Sequence, residues 1–167
     1  MDTSNTSNRT CRDFSTLFGN EMKAMFRYAC YKIGNAEDAE DMLQDMYLTL
    51  HSKLETGMDI GNMRGYLYRC LNNTCTDYLR KRRGMKVVSI DNAKEICSME
   101  AESFELEYRK INTLLSAIPD EQAEVIRIRI HSDKSFAEIA EILEIPVSTV
   151  KSRFQYGIEK IRKGLGK

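Results

Sequence analysis

The sequence predicts an all-α protein built from two small helical domains joined by a linker, the second domain being a helix-turn-helix. Apolar residues recur at three- and four-residue steps over most of the chain, which is the spacing of one face of a helix. Only two prolines and nine glycines occur in 167 residues, too few for the turns of a β sandwich. With 42% hydrophobic and 30% charged residues, the composition is that of a folded, soluble protein.

Breaks in the apolar pattern set the predicted boundaries. The first residues are rich in serine, threonine and asparagine and lack an apolar centre. In chain order we predict a disordered tail at 1–10, a first domain at 11–83, a linker at 84–103 and a second domain at 104–167.

Three helices are predicted in the first domain, over 11–34, 36–54 and 63–83. Gly34 ends the first, and Asn35 and Asn62 are suitable N-caps for the other two. The inward face of the second helix is predicted to be Ala39, Met42, Leu43, Met46, Leu50 and Leu54. That of the third is predicted to be Leu67, Leu71, Cys75, Tyr78 and Leu79.

Four helices are predicted in the second domain, over 104–117, 119–130, 135–143 and 146–164. Pro119 and Pro146 stand at or beside helix starts, where proline is tolerated. Ser135 and Glu138 have the spacing of a capping box, which marks the start of a helix.

Residues 135–154 have the layout of a helix-turn-helix. Ala140 lies at the close crossing of the two helices, and Glu144 stands where the turn usually has glycine, which predicts a looser turn. The outward face of the last helix carries hydrogen-bonding and cationic groups, as reading of the major groove requires. These residues are Ser148, Thr149, Lys151, Ser152, Arg153, Gln155 and Tyr156. The alternative is an ordinary helical hairpin with a basic rim.

The zero net charge hides an uneven distribution along the chain. Residues 61–86 carry a net charge of +6 and residues 147–167 carry +5, while residues 87–126 between them carry −6. Two basic blocks with an acidic stretch between them predict two separate contacts with a polyanion. The alternative is that each block is a solvated helix face.

Several function classes find no support in the sequence. No apolar run approaches the length of a membrane span and no signal peptide is recognisable, so we expect a cytoplasmic protein without membrane insertion. No phosphate-binding loop, nucleophile motif or cofactor motif is present, so we expect neither an enzyme nor a cofactor. The five cysteines and two histidines lack the spacing of a metal site, and we expect reduced, mostly buried thiols.

Both halves resemble bacterial RNA polymerase sigma factors of the extracytoplasmic-function (ECF) type. Residues 14–83 resemble region two, through Gly34-Asn35, Asp38-Ala39-Glu40-Asp41, Gln44-Asp45, Tyr66-Leu67-Tyr68-Arg69, Asn73 and Asp77 to Arg83. Residues 109–165 resemble region four, a winged-helix-like domain, through Ile118-Pro119, Ile139-Ala140 and Thr149 to Arg153. A lone helix-turn-helix is a weak signal, but the two regions in this order are specific.

The resemblance implies partners and binding residues. Core RNA polymerase would be bound through its β′ clamp helices and its β flap. The residues that would bind the β′ clamp helices are Asp38, Asp41, Gln44 and Asp45. Promoter DNA would be bound both as a double strand and as the melted non-template strand. An anti-sigma factor is a further expected partner. The minus-ten element would be opened and read by Tyr66, Arg69, Asn73, Arg80, Lys81, Arg82 and Arg83, and the minus-thirty-five element by the outward residues of the last helix.

Two roles within region two stay open at this stage. Tyr66 either stacks on a base or is a core aromatic residue. The family often has tryptophan at this position, which fits burial at least as well as stacking. The loop at 56–62 lies where the family forms its flipped-base pocket, but no residue in it can be assigned. The alternatives for the whole chain are a helix-turn-helix regulator that acts without polymerase and a helical adaptor that does not bind DNA.

Overall fold

The computed structural model describes residues 3–84 and 99–166, and within these ranges the chain forms seven helices. In chain order they are α1 (Thr3–Ile33), α2 (Ala36–Glu55), α3 (Met63–Gly84), α4 (Met99–Ser116), α5 (Asp120–Ser132), α6 (Phe136–Leu143) and α7 (Val147–Leu165). The described residues contain no strand, which confirms the all-α prediction. No helix in this part of the chain has both the length and the apolar character needed to cross a membrane.

The junction between α1 and α2 forms at the predicted residues. Gly34 has a φ of +76°, and its N–H donates to the carbonyl oxygen of Cys30 at 2.8 Å. Glycine adopts this left-handed conformation without steric cost, and α1 ends there. The side-chain oxygen of Asn35 accepts from the N–H of Asp38 at 2.9 Å, a cap that stabilises a helix by about 1 kcal/mol.

Helices α1, α2 and α3 enclose an apolar core. All six residues predicted on the inward face of α2 are buried: Ala39, Met42, Leu43, Met46, Leu50 and Leu54. On α3, Leu67, Leu71 and Cys75 are fully buried, whereas Tyr78 and Leu79 are half-buried. Periodicity did not identify Tyr68 as a core residue, although its ring is 1% exposed and its hydroxyl donates to Glu21 at 2.7 Å.

The start of α6 is fixed by the predicted capping box. Ser135 Oγ accepts from the N–H of Glu138 at 3.2 Å, and Glu138 Oε2 accepts from the N–H of Ser135 at 2.7 Å. Pro119 and Pro146 occupy the N-cap positions of α5 and α7. The local chemistry of these residues therefore sets three of the four helix starts in the second half.

The turn between α6 and α7 has the backbone that a glycine would give it. Glu144 itself takes the left-handed conformation, with φ 56° and ψ 43°, and its N–H donates to the carbonyl oxygen of Ala140. Ala140 is 8% exposed at the close crossing. A residue with a Cβ atom bears a steric cost of about 1–2 kcal/mol in this conformation.

Two predicted boundaries differ from the structure. Helix α1 begins at Thr3, so residues 3–10 of the predicted disordered tail are helical. That segment has no proline or glycine to break a helix, Thr10 Oγ1 donates back to the carbonyl of Thr6 at 2.9 Å, and the next residue, Cys11, is buried. Helix α4 begins at Met99, inside the predicted linker at 84–103, and the rest of that linker after residue 84 lies outside the described residues.

The two groups of helices are in direct contact. Helix α5 packs on α1 and α6 packs on α3. Val125, Ile139 and Val150 of the second group are completely buried and belong to the same apolar cluster as the core of α1, α2 and α3. This contact brings the N-terminal part of α3 next to α6.

Candidate nucleic-acid interface

The outward face of α7 presents most of the side chains predicted to read bases. Val150 and Gly157 are buried, and Phe154 and Ile158 pack against apolar neighbours, so this stripe faces inward. The exposed side chains of the opposite face carry hydroxyl, amide and ammonium groups: Ser148, Lys151, Ser152, Gln155 and Tyr156. Donors and acceptors of these kinds can bond base edges in a major groove.

Thr149 and Arg153, also predicted to contact DNA, are only half exposed. Arg153 Nη2 lies 3.3 Å from the carboxylate of Glu121 on α5. The Glu121 side chain is 73% exposed, so this pair is weak and a phosphate can compete for the guanidinium. Arg153 therefore lies at the flank of the face rather than at its centre.

Gly157 allows α7 to approach α5, a role that the sequence reading missed. A Cβ atom at this position would lie 2.7 Å from Ile126 Cδ1 and 3.3 Å from Gln122 Cβ. A glycine inside an otherwise apolar helical stripe was the signal for this close approach. Because Gly157 fixes the distance between α7 and α5, it also fixes how far the outward face of α7 projects from α5.

The basic run at the end of α3 is exposed to solvent, as a phosphate-binding segment must be. Arg80, Lys81, Arg82 and Arg83 all have exposed side chains. Arg80 lies 3.3 Å from Asp77, and the guanidinium of Arg82 lies over the ring of Tyr78 at 6.0 Å from its centroid.

The other predicted minus-ten residues of α3 differ in exposure. Asn73 is exposed, whereas Tyr66 is half-buried and packs against the core, and burial raises the pKa of its hydroxyl. The structure thus favours the core role for much of the Tyr66 ring. Arg69 Nη1 lies 2.8 Å from the carboxylate of Glu144, in the turn of the helix-turn-helix.

The predicted polymerase-binding face of α2 is exposed at three of its four residues. Asp41, Gln44 and Asp45 point to solvent. The carboxylate of Asp38 instead accepts a hydrogen bond from the hydroxyl of Tyr78 and its backbone N–H is capped, so it joins α2 to α3. Leu48, one turn beyond Gln44, is 65% exposed on the same face and was not among the predicted residues.

The loop predicted to form the flipped-base pocket is anchored at its C-terminal end. Ile60 packs against the core, and Asn62 Oδ1 accepts from the N–H of Gly65 at 3.0 Å, which confirms the predicted cap of α3. An open groove of about 990 Å³ lies beside Gly57 and the N-terminal part of α1. Most of the residues that line it are of polar types, Arg12 and His51 among them.

A buried polar cluster joins the two groups of helices, and sequence reading did not find it. Lys134 Nζ lies 2.6 Å from the carboxylate of Glu21, both side chains being 8% exposed. Burial alone would raise the pKa of Glu21, but hydrogen bonds from Lys134 and Tyr68 outweigh it and hold that pKa below its usual value. Lys32 of α1 lies 3.1 Å from Glu124 of α5, a second pair across the same contact.

The cysteines in the described part of the chain are free thiols. Cys11, Cys30 and Cys75 are buried and Cys70 is half-buried, while Cys97 lies outside the described residues. Within residues 3–84 and 99–166, no group of histidine, cysteine and acidic side chains is arranged to hold a metal ion.

Both halves of the chain match known protein families. Residues 17–84 match the family model described as Sigma-70 region 2, and residues 114–163 match Sigma-70, region 4. The chain is 31% identical to the ECF RNA polymerase sigma factor SigW of Bacillus subtilis, over 81% of this chain and 80% of that protein. It is 26% identical to the ECF RNA polymerase sigma factor EcfG of Rhodopseudomonas palustris, over 77% of this chain and 71% of that protein.

Two solved structures share the fold. The structure of CnrH in complex with the cytosolic domain of CnrY has a TM-score of 0.71 at 19% identity, and covers 99% of this chain and 98% of that chain. The sigma factor RpoE in complex with the anti-sigma factor NepR, from Bartonella quintana, has a TM-score of 0.63 at 21% identity. It covers 93% of this chain and 98% of that chain.

Proposed function

Because this chain belongs to the ECF family of RNA polymerase sigma factors, we propose that it directs core polymerase to promoters by contacting their minus-ten and minus-thirty-five elements. The observation that carries the proposal is the exposure of the three surfaces predicted to bind polymerase or DNA. The acidic face of α2, the basic end of α3 and the outward face of α7 are all exposed, and the core lies behind them.

The polymerase would be bound chiefly by α2. Asp41, Gln44 and Asp45 form an acidic face that can dock on a basic partner surface and set its register. Leu48 adds exposed apolar area at the end of this face. The β′ clamp helices are the partner we assign to it, and the β flap is assigned to the second half of the chain.

Promoter DNA would be contacted at two separate places. On α3, Asn73 is exposed for bonding an extruded base, and Arg80 to Arg83 are exposed for phosphates. On α7, Gln155 and Ser152 would read the minus-thirty-five element through base edges, and Lys151 would hold a phosphate.

An anti-sigma factor is the regulatory partner we assign, because the solved relative RpoE is bound to the anti-sigma factor NepR. The site of action is the bacterial cytoplasm, where the polymerase works. Phosphodiester synthesis would belong to the polymerase, and this chain would supply recognition alone.

Run-off transcription with purified core polymerase on a library of genomic promoters tests the proposal. We expect defined transcripts that depend on this protein and share two sequence elements upstream of the start. Specific promoter binding by the free protein, without any effect on initiation by polymerase, would instead identify an autonomous regulator. Binding to polymerase without promoter-specific initiation would identify an adaptor.

A further inference from the structure

We propose that the cleft between α3 and α5 is a binding site for a nucleotide, whose phosphate groups are held by arginines of both helices. The cleft has a volume of about 420 Å³, which is within the range of sites that take small organic ligands. Both helices pack mainly on α1, and this leaves the space between them. The inference goes beyond the proposed function, which assigns no small molecule to the chain.

Arginine side chains line the cleft from both sides. Arg80 and Arg83 belong to α3, where they are three positions apart on one side of the helix, and Arg127 belongs to α5. The exposed pair of Arg80 with Asp77 is weak, so a phosphate can compete for that guanidinium. A guanidinium binds phosphate oxygens through two parallel N–H groups, and three of them around one space suit a ligand with several phosphate oxygens.

Arg127 has hydrogen-bond donors to spare, although its side chain is only 16% exposed. Its Nη1 lies 3.6 Å from the carboxylate of Glu124, which is too far for a hydrogen bond. Its Nε is buried and has no hydrogen-bond partner among the described residues. A largely buried guanidinium with so few partners costs free energy, and a phosphate in the cleft would supply acceptors that the folded chain does not.

Two of the three carboxylates that line the cleft are already paired with cations. Glu124 lies 3.1 Å from Lys32 Nζ, and Glu121 lies 3.3 Å from Arg153 Nη2. The third, Asp120, is exposed and can accept a hydrogen bond from a ribose hydroxyl or a base amino group. The arginines therefore leave the cleft with an excess of positive charge, which favours an anionic ligand.

The other lining residues suit the parts of a nucleotide that carry no charge. Leu79 gives the cleft an apolar surface on which a base can pack, and Thr76 adds a hydroxyl group. Lys32 Nζ donates to Asn72 Oδ1 at 2.5 Å and so fixes this amide at the edge of the cleft. An inorganic anion would use only the arginines, whereas a nucleotide would also use the apolar and the hydrogen-bonding groups.

A nucleotide in this cleft would also affect promoter binding. Arg80 and Arg83 are assigned to phosphates of the minus-ten element, so the nucleotide and the DNA would compete for them. This consequence alone rests on the proposed function, because the binding site itself is formed by the free chain.

The test is isothermal titration calorimetry of the free full-length protein with ATP, with inorganic pyrophosphate and with adenosine, in a buffer without magnesium. Arg127→Gln and Arg83→Gln each remove one cation from the cleft. Lys81→Gln is the matched control, because Lys81 belongs to the same exposed basic run as Arg83 and does not line the cleft. Arg83 is exposed, so its substitution should leave the fold intact even if that of Arg127 lowers the stability.

We expect ATP to bind more tightly than pyrophosphate, and adenosine to bind most weakly, because the arginines hold the phosphates. Arg127→Gln should weaken ATP binding by about tenfold and Arg83→Gln by about threefold, since the first contact is largely buried and the second is exposed. Lys81→Gln should change the affinity for ATP by less than about twofold.

The absence of ATP binding at millimolar concentration would overturn the proposal, and so would an equal loss of affinity in Lys81→Gln and Arg83→Gln. Binding of pyrophosphate as tight as that of ATP would overturn the assignment of a nucleotide. The titrations contain neither DNA nor polymerase. A failure of the chain to support transcription would therefore reject the proposed function and leave this result unchanged.

Discussion

Gln155 is the residue on which we propose that base selection by α7 depends. Its amide lies on the exposed face beside Ser152 and can bond an adenine edge in two places, a contact that contributes about 1–3 kcal/mol of discrimination. Gln155→Ala should therefore change which minus-thirty-five sequences are preferred. The measurement is the affinity of the polymerase complex for a series of substituted minus-thirty-five elements.

Lys151 provides the contrast to Gln155, because it is exposed on the same helix and its ammonium carries a full charge that can hold a phosphate. Lys151→Ala should weaken all sequences together and reduce the salt slope by about one unit. Arg153→Ala should have the same effect in a smaller degree, because Glu121 already holds its guanidinium. A uniform loss of affinity in Gln155→Ala would show that α7 is rotated differently on the DNA.

Gly157 is the residue that sets the depth of α7 on α5. Gly157→Val would place side-chain atoms against Ile126 and Gln122, and overpacking of this kind lowers the free energy of unfolding by about 1–3 kcal/mol. Gly164→Val is the control in the same helix, since no described atom outside that helix lies within 4 Å of a Cβ atom at Gly164. Chemical denaturation of both variants gives the comparison, and similar stabilities would contradict the close packing at Gly157.

At the scale of single elements, α2 offers the most direct test of polymerase binding. Asp41→Lys with Asp45→Lys reverses the charge of its exposed face without touching the buried stripe, so helix content should be unchanged. We expect at least a tenfold loss of affinity for core polymerase, about 1.4 kcal/mol or more, because like charges then face each other across the interface. Titration of labelled protein with core polymerase measures the loss.

The control for α2 places the same charge change elsewhere in the first group of helices. Asp13 on α1 and Glu55 at the end of α2 are both exposed. Asp13→Lys with Glu55→Lys should bind core polymerase like the wild type. If both double variants lost affinity equally, general electrostatic attraction rather than the face formed by Asp41 and Asp45 would account for binding.

At the scale of the whole molecule, the contact between the two groups of helices makes stability depend on pH. His131 is 4% exposed and its ring stacks on Tyr31 at 4.0 Å between centroids. Burial lowers the pKa of His131 from 6.5 to about 4, with Arg127 and Arg27 acting in the same direction and Glu107 against them. Between pH 6.5 and 4 the unfolded chain takes up a proton that the folded chain refuses, so stability falls as the pH falls.

His131→Phe should remove this dependence while it keeps an aromatic ring against Tyr31. In the wild type the free energy of unfolding should fall by up to about 3 kcal/mol from pH 7 to pH 4, and the variant should lack that part of the decline. His51, whose side chain is 31% exposed, provides the control variant His51→Phe. Unfolding by denaturant at several pH values is the measurement, and an unchanged decline in His131→Phe would reject the role of this histidine.

The helices and the family could be predicted from the sequence because their signals are local. The six buried residues of α2 repeat with the helical period, and Asn35 and the pair of Ser135 and Glu138 contact backbone groups only three residues away. Such interactions are complete within one turn of a helix, whatever the rest of the chain does. Two predicted helix starts were wrong, since α1 begins at Thr3 and α4 begins at Met99. Polar residues near the end of a helix do not show where the helix begins.

Only the tertiary structure decided which side chains meet across the molecule. The pairs of Arg69 with Glu144, Arg153 with Glu121 and Lys134 with Glu21 join residues that are 75, 32 and 113 positions apart. A charged residue gives the same sequence signal whether it faces water, DNA or a partner in another helix. The sequence by itself thus determined the helices, their inward faces and the family. The packing of α6 on α3 and of α7 on α5 decided which of the predicted DNA-binding residues are held by carboxylates of another helix, because that depends on distances that no local pattern encodes.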